Sequence, residues 1–379
     1  MSVRTSNGPG IATRVFGSQW FVSVLAVLIA FVVGAILIAL SGASVLDAYY
    51  AMFRGSIVDP NAANAVRMIK PLTDSLFYSI PLIISGLGLA LGFQAGLFNI
   101  GGKGQIIVGA LAAVWVGFSV NLPPVLHTLV ALLVAIVAGG LYGGIAGVLK
   151  AKTGANEVIV TIMLNSIATL GLGYTLTQKA WQVPGSNQPV TPKVADSAAL
   201  TRLLPAPFKL HVGFIVALVA LAFFWWLIER STLGFQIRAV GANPAAARTA
   251  GISVERITAI TMVLSGAFLG LAGANEALGT IGYVSRDVAG SIGFDAITVA
   301  LLGRNKTWGT FGAGLLFGAF KAGGYTMQAK GVPIDMILIL QSVIVLLIAA
   351  PALVRWLFRL PDVRALAAQT RKGNADEHK

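Results

Sequence analysis

Cysteine is absent from the 379 residues, which excludes a disulfide framework and any chemistry that begins at a thiolate. Charge is scarce. Only 11% of residues are Asp, Glu, Lys or Arg, less than half the ~25% of an average soluble domain, so little of the chain is built to face water. The three histidines, His127, His211 and His378, are too scattered for a metal-ligand or triad spacing. No H-E-x-x-H, G-x-S-x-G or clustered carboxylates occur, and no complete G-x-x-x-x-G-K-[ST]. These absences speak against an intramembrane enzyme and against ATP hydrolysis by this chain, and no cofactor or metal is expected on it.

What is present in excess is long apolar runs. Residues 20–42 (WFVSVLAVLIAFVVGAILIALSG) carry no charge, enough to cross ~30 Å of hydrocarbon at ~1.5 Å per residue. That run exceeds the ~7–15 apolar residues of a cleaved signal peptide and reads as a retained first span. Candidate spans follow near 72–93, 104–121, 124–149, 157–178, 212–228, 257–280, 290–303, 308–328 and 333–354. The expectation is an all-α integral membrane protein of about ten helices. Its organisation is a cytoplasmic leading segment 1–19, a transmembrane region 20–354 and a cytoplasmic tail 355–379.

A net charge of +13 invites a nucleic-acid reading, which the distribution of the charge opposes. With the N-terminus inside, 17 basic residues fall on inner segments, nine on outer segments, and Lys321 within a span. This asymmetry fits the positive-inside rule with both termini cytoplasmic, and sets the basic charge of a multi-pass membrane protein against anionic lipid. No nucleic-acid partner is expected. "SVLDAYYAMFRG" sets Val45, Tyr49, Met52 and Phe53 on one stripe of a short helix in the outer interface. Residues 179–211 make the longest outer loop.

The stretch AGLFNIGGKGQ (95–105) resembles a phosphate loop, but Leu97 stands where the first glycine belongs and Gly104 follows Lys103. Two readings remain: an unwound or re-entrant backbone between spans, or a tight cytoplasmic turn. Unwound backbone at depth requires internal partners for its amides, and Asn99 and Gln105 offer them. GFQAGLFNIGGKGQ from Gly92 also aligns with GFDAITVALLGRNK from Gly293. That gives a weak parallel internal repeat, with chance similarity among glycines and alanines as the alternative.

Along the fifth span Glu157, Thr161, Asn165 and Thr169 recur every fourth residue and share a face that should turn away from lipid. They line a hydrophilic passage or glue helices together by hydrogen bonds. Asn99, Gln105, Thr161 and Asn165 are the candidate substrate-pathway residues on polarity alone. Gly139, Gly143 and Gly147, with Gly266 and Gly270, and Gly314 and Gly318, form small-xxx-small faces for close helix packing. Lys321 and Glu276 are charges inside spans, where facing a pore and snorkelling are both open.

The basic segment 229–256 carries GFQIRAVGANPAAARTAGISVERI. Asn243 suits an N-cap, Pro244 the first turn, and Gly251 a left-handed stop after Ala250. A helix of about two turns is unstable alone in water and must dock. Together with AGLFNIGGKGQ and NEVIVTIMLN, this segment resembles the coupling loop of the permease subunits of ABC importers for simple sugars and nucleosides. F-N-I-G-G-x-G-Q at Phe98–Gln105 is closer to the nucleoside branch. The resemblance covers about residues 70–355.

It implies a type II-like importer permease that pairs with a second permease, as a homodimer or heterodimer. It also implies two ABC ATPase subunits docked beneath the pair, and a solute-binding lipoprotein that delivers substrate from outside. The segment Asn243, Pro244, Ala245, Ala246, Ala247, Arg248, Ala250 and Gly251 carries over as the coupling segment. The rival reading, an ion-coupled secondary transporter, needs a coupling carboxylate near the midplane, and the spans offer few.

Overall fold

The computed structural model describes residues 19–186, 188–329 and 331–333, with scattered positions up to 347. Nearly all of the expected leading segment, tenth span and tail lies outside the described residues. Two compact units divide the chain: residues up to Tyr49 with those from Met327 onward, and Tyr50–Thr326. Among the described residues the regular structure is helical, apart from one isolated bridge between Arg202 and His211.

In the first unit, α1 (Gln19–Leu40) exposes Val24, Leu28, Val32, Ile36 and Leu40, one apolar face at four-residue spacing. Helix α2 (Val45–Ser56) begins here, and the Tyr49 hydroxyl donates to the Phe31 carbonyl. Along the expected stripe of α2, Phe53 is exposed and Val45, Tyr49 and Met52 are half-buried, while Ala48 and Ala51 are buried. Small residues decide its inward face: Gly55 lies against Thr326 and Gly323 against Met52, so the backbones come close.

The second unit continues with α3 (Ala65–Gln94), α4 (Gly102–Ser119), α5 (Pro124–Thr153), α6 (Glu157–Thr175) and α7 (Gly213–Arg230). Two short helices follow, α8 (Thr232–Ala242) and α9 (Pro244–Thr249). Then come α10 (Val254–Asn275) running into a π-helical turn (Glu276–Ile281), α11 (Ile292–Leu302) and α12 (Thr307–Gln328). Six helices among the described residues are long and apolar enough to cross a membrane: α3 to α7, and α10 with its π turn. The expected eighth span is shorter than a crossing. Glycines with positive φ at Gly282 and Gly290 interrupt the chain, and helix starts only at Ile292, so α11 is about 16 Å long.

Helices α5 and α10 make the most extensive pairing, through the expected glycine faces. A Cβ on Gly139 would sit 2.5 Å from the Gly266 carbonyl oxygen, and one on Gly143 2.6 Å from that of Met262. Only hydrogen fits between backbones this close, and close approach is what packs helices where lipid supplies no hydrophobic drive. Gly314 and Gly318 of α12 do the same against Ile83 and Ser79 of α3. Helix α3 is central, buried almost continuously from Ser79 to Gly92. The two segments aligned as an internal repeat differ in conformation. The first leaves helix at Ala95, whereas the second stays helical to Leu302. They do meet in space, since Gly293 packs on Gly102 and Lys103.

Candidate functional site

Helix α3 ends in a Schellman motif: Gly96 takes φ +72°, Leu97 N donates to the Gly92 carbonyl and Gly96 N to that of Phe93. The chain then runs without helix to Gly101. Its amides are taken in turn by the polar face of α6. Phe98 N donates to Glu157 Oε1 (3.4 Å), Ile100 N to Thr161 Oγ1 (3.3 Å) and Gly104 N to Asn165 Oδ1 (2.7 Å). Asn165 Nδ2 returns a bond to the Ile100 carbonyl at 2.8 Å. From Glu157 to Asn165 is eight residues, so the segment climbs about 12 Å along α6 before α4 is under way. The glycine-rich stretch is therefore an unwound, braced segment and not a tight turn.

Asn99 and Gln105 close the network from the other side. Asn99 Nδ2 donates to Gln105 Oε1 (3.0 Å) and to Ser265 Oγ of α10 (2.9 Å), and Asn99 Oδ1 accepts from Gly101 N (2.9 Å). Asn99, Gln105 and Thr161 are buried and Asn165 is half-buried. The fourth member of the stripe, Thr169, is exposed and bonds back to the Asn165 carbonyl. Glu157 also pairs with Lys150 at 2.6 Å. Ser265 carried no signal in the sequence, because a lone serine in an apolar helix looks like packing.

At the end of the bundle bearing the basic loop, Asn243 caps α9. Its side chain accepts from Ala245 N and Ala246 N at 3.0 and 3.1 Å, with the residue itself extended at φ −161°. Gly251 takes φ +80°, and Gly251 N and Ile252 N donate to the carbonyls of Arg248 and Ala247. Of the residues assigned to coupling, only Ala247 is buried; Pro244, Ala245, Ala246, Arg248 and Ala250 are exposed. The Arg248–Glu255 pair (2.6 Å) is exposed on both sides and adds little stability. A groove of about 740 Å³ runs beside α9, floored by alanines and by Phe235, which is 62% exposed. Behind α9, Gly241 of α8 lies against Gln94 and Ala95, and Gln94 Nε2 donates to the Asn305 carbonyl at 2.6 Å. The ends of α3, α8 and the α11–α12 turn thus converge under the bent segment.

At the opposite end the 179–211 loop folds over the helices. Thr191 N and Val194 N donate to the carbonyls of Val284 and Gly282, and Ala195 N to that of Gly117. His211 is buried, with its Nδ1 accepting from Gly213 N at 3.1 Å and its ring edge-on to Phe77. Desolvation pushes its pKa from 6.5 down to about 4, so the imidazole is neutral. Beneath this loop lies a cavity of about 390 Å³ between α3, the π turn and α12, lined among others by Tyr78, Pro81, Glu276, Thr280, Lys321 and Tyr325. The structure thus brings together Glu276 and Lys321, the two charges that sequence left undecided.

A family model described as branched-chain amino acid transport system / permease component matches residues 72–349. The chain belongs to that permease family. This permease is 39% identical to the guanosine ABC transporter permease protein NupP of Bacillus subtilis, over 89% of this chain and 95% of that one. It is 34% identical to the glucose ABC transporter permease protein TsgB13 of Haloferax volcanii, over 85% of each chain. It is 30% identical to the nucleoside ABC transporter permease protein NupB of Lactococcus lactis, over 92% of this chain and 94% of the relative. No solved structure matches the permease significantly. Family and apolar helices together make it a multi-pass membrane protein.

Proposed function

We propose that this permease is the membrane subunit of an ATP-driven importer of nucleosides, with simple sugars as the second substrate class. Two of the relatives named above are nucleoside or guanosine permeases and one is a glucose permease, which supports that order. About ten spans, both termini cytoplasmic, a second permease beside it and a solute-binding lipoprotein outside complete the proposal. The chain itself binds no nucleotide; ATP hydrolysis belongs to separate ATPase subunits.

The observation that carries the reading is α9, a capped two-turn helix exposed on nearly every residue beside an apolar groove. A lone helix this short needs a partner, and an ATPase subunit seated on Asn243–Gly251 supplies it. Movement of α9 passes through α8 to Gly241, and from Gly241 to the Gln94–Gly96 turn that opens the bent segment. Asn99, Gln105, Thr161 and Asn165 hold that segment, and we place it beside the substrate pathway. Because the chain lacks cysteine, Ala246→Cys gives a single reactive thiol. Expected is a cross-link to the ATPase in the assembled complex, together with uptake of labelled guanosine that unlabelled nucleosides suppress more than pentoses do. Modification of that thiol from outside intact cells, by a reagent that cannot cross the membrane, would overturn the coupling assignment.

A further inference from the structure

The cavity under the 179–211 loop combines features that ordinary helix packing does not require. Two of its walls come from helical segments that are irregular where they line it. In α3, Pro81 has no N–H to give to the Phe77 carbonyl, so a backbone acceptor is freed beside the cavity. Directly after α10, Glu276–Ile281 form a π turn, closed by Gly282 N donating to the Ala277 carbonyl at 2.9 Å. π turns widen a helix, usually where a site needs it. Both departures face the same space.

The side chains there are also unlike a lipid-packing surface. Lys321 lies 14 residues into α12, seven before its end at Gln328, and Glu276 follows the 22 residues of α10, so both stand toward the end of the bundle that the 179–211 loop covers. Charged groups set within spans are costly and mark ligand or ion pathways. Lys321 lines the same cavity as Glu276. Yet among the described residues no carboxylate lies within the 4.0 Å ion-pair distance of its ammonium. Glu276 shares this cavity with three cations, Lys321 and the loop residues Arg202 and Lys209, which leaves room for a polar ligand among them. The third feature is aromatic. Tyr78 and Tyr325 pack with ring centroids 5.3 Å apart and planes tilted by 37°, and both line the cavity beside these charges.

We propose that this cavity is a nucleoside-binding station of the permease, with the base lying on the Tyr78 and Tyr325 rings and its polar edge and ribose hydroxyls read by Glu276 and Lys321. Aromatic faces accept any base by stacking. A carboxylate accepts two hydrogen bonds at once from a cis-diol or from adjacent ring N–H groups. Lys321 supplies donors for carbonyl and ring-nitrogen acceptors. A volume of about 390 Å³ falls within the ~300–1,000 Å³ of small-molecule pockets. A free pentose would meet the same carboxylate but leave the rings uncovered. The inference rests on the nucleoside reading above and assigns it a place.

The test uses Thr280→Cys in the otherwise cysteine-free chain, assembled with its partners. Wild-type uptake of labelled guanosine and labelled ribose is measured first. An importer that takes up guanosine upholds the functional reading; one that takes up ribose alone removes that reading and this proposal together. In a guanosine-importing complex, saturating guanosine should slow maleimide labelling of the Thr280→Cys thiol at least fivefold, and ribose at the same concentration should not. Glu276→Gln and Tyr325→Ala, at wild-type abundance and monodisperse in detergent, should each lower uptake at sub-saturating guanosine at least tenfold. Unchanged labelling with guanosine, or Glu276→Gln uptake within twofold of wild type, overturns the cavity assignment while leaving the importer intact.

Discussion

Asn165→Leu is the most direct test of the braced segment. The leucine is of similar length but removes the acceptor for Gly104 N and the donor for the Ile100 carbonyl, at 2.7 and 2.8 Å. Leaving a buried polar group unpaired costs about 1–3 kcal/mol. Gly104 is buried, whereas Ile100 and Asn165 are half-buried, so water can replace part of what is lost. The low end of the range for each group gives about 2 kcal/mol in total. The helix face itself is undisturbed, because leucine is a better helix former than asparagine. The effect should be local: amide exchange across residues 98–104 should quicken by roughly 30-fold, about 1.4 kcal/mol per decade. Protection elsewhere in α3 and α10 should hold. Thr161→Val, which loses only a 3.3 Å contact, should change exchange several-fold less. If exchange in the bent segment is unaltered by Asn165→Leu, the segment is held by packing and the bracing argument is wrong.

Gly251→Val should cost about 1–2 kcal/mol from forcing a β-branched residue to φ +80°, with no clash, because nothing lies within 4 Å of the added carbon. ATP hydrolysis by the complex should persist while uptake fails, and Gly251→Asn, which tolerates the left-handed region, should stay near wild type. Normal import by the valine variant would remove the capping argument. Gly270→Val places a methyl-bearing carbon 2.9 Å from the Gly139 Cα, with backbone on both sides. Overpacking of about 3 kcal/mol or more should leave no monodisperse protein on size exclusion. His211 gives a pH dependence. Its folded pKa is lowered from 6.5 to about 4, so the unfolded chain takes the proton first and stability falls as pH drops from about 6.5 to about 4. The full shift corresponds to about 3 kcal/mol. Melting curves of wild type and His211→Asn should converge as the pH falls, and parallel curves would show that the imidazole is not buried neutral.

Much of the end of the bundle that carries α9 was legible in the residues themselves. Asn243, Pro244 and Gly251 are local signals: a side chain that reaches the next two amides, a ring with no N–H to lose, and a residue free to take positive φ. Such rules act over four or five residues and hold in any surroundings. The glycine faces of α5 and α10 were legible for the same reason, since spacing alone puts them on one side of a helix. The unwinding after Gln94 was suspected from its glycines but not decided. Its cause lies 60 residues away, where Glu157, Thr161 and Asn165 offer partners that make an unwound backbone tolerable. The expected eighth span, 290–303, is helical from Ile292 to Leu302, so apolar composition marked the helix but not how far it reaches across a membrane.

The cavity was least visible. Pro81, Glu276, Lys321 and Tyr325 stand on three helices, and each taken singly has an ordinary explanation as a kink, a snorkelling charge or an interface ring. Sequence by itself determined that this chain lives in a membrane, where its helices touch closely and how the short helix α9 is capped. Tertiary structure alone decided which polar groups face one another, because satisfying a buried donor or separating a charged pair depends on distances between segments that the chain order does not contain.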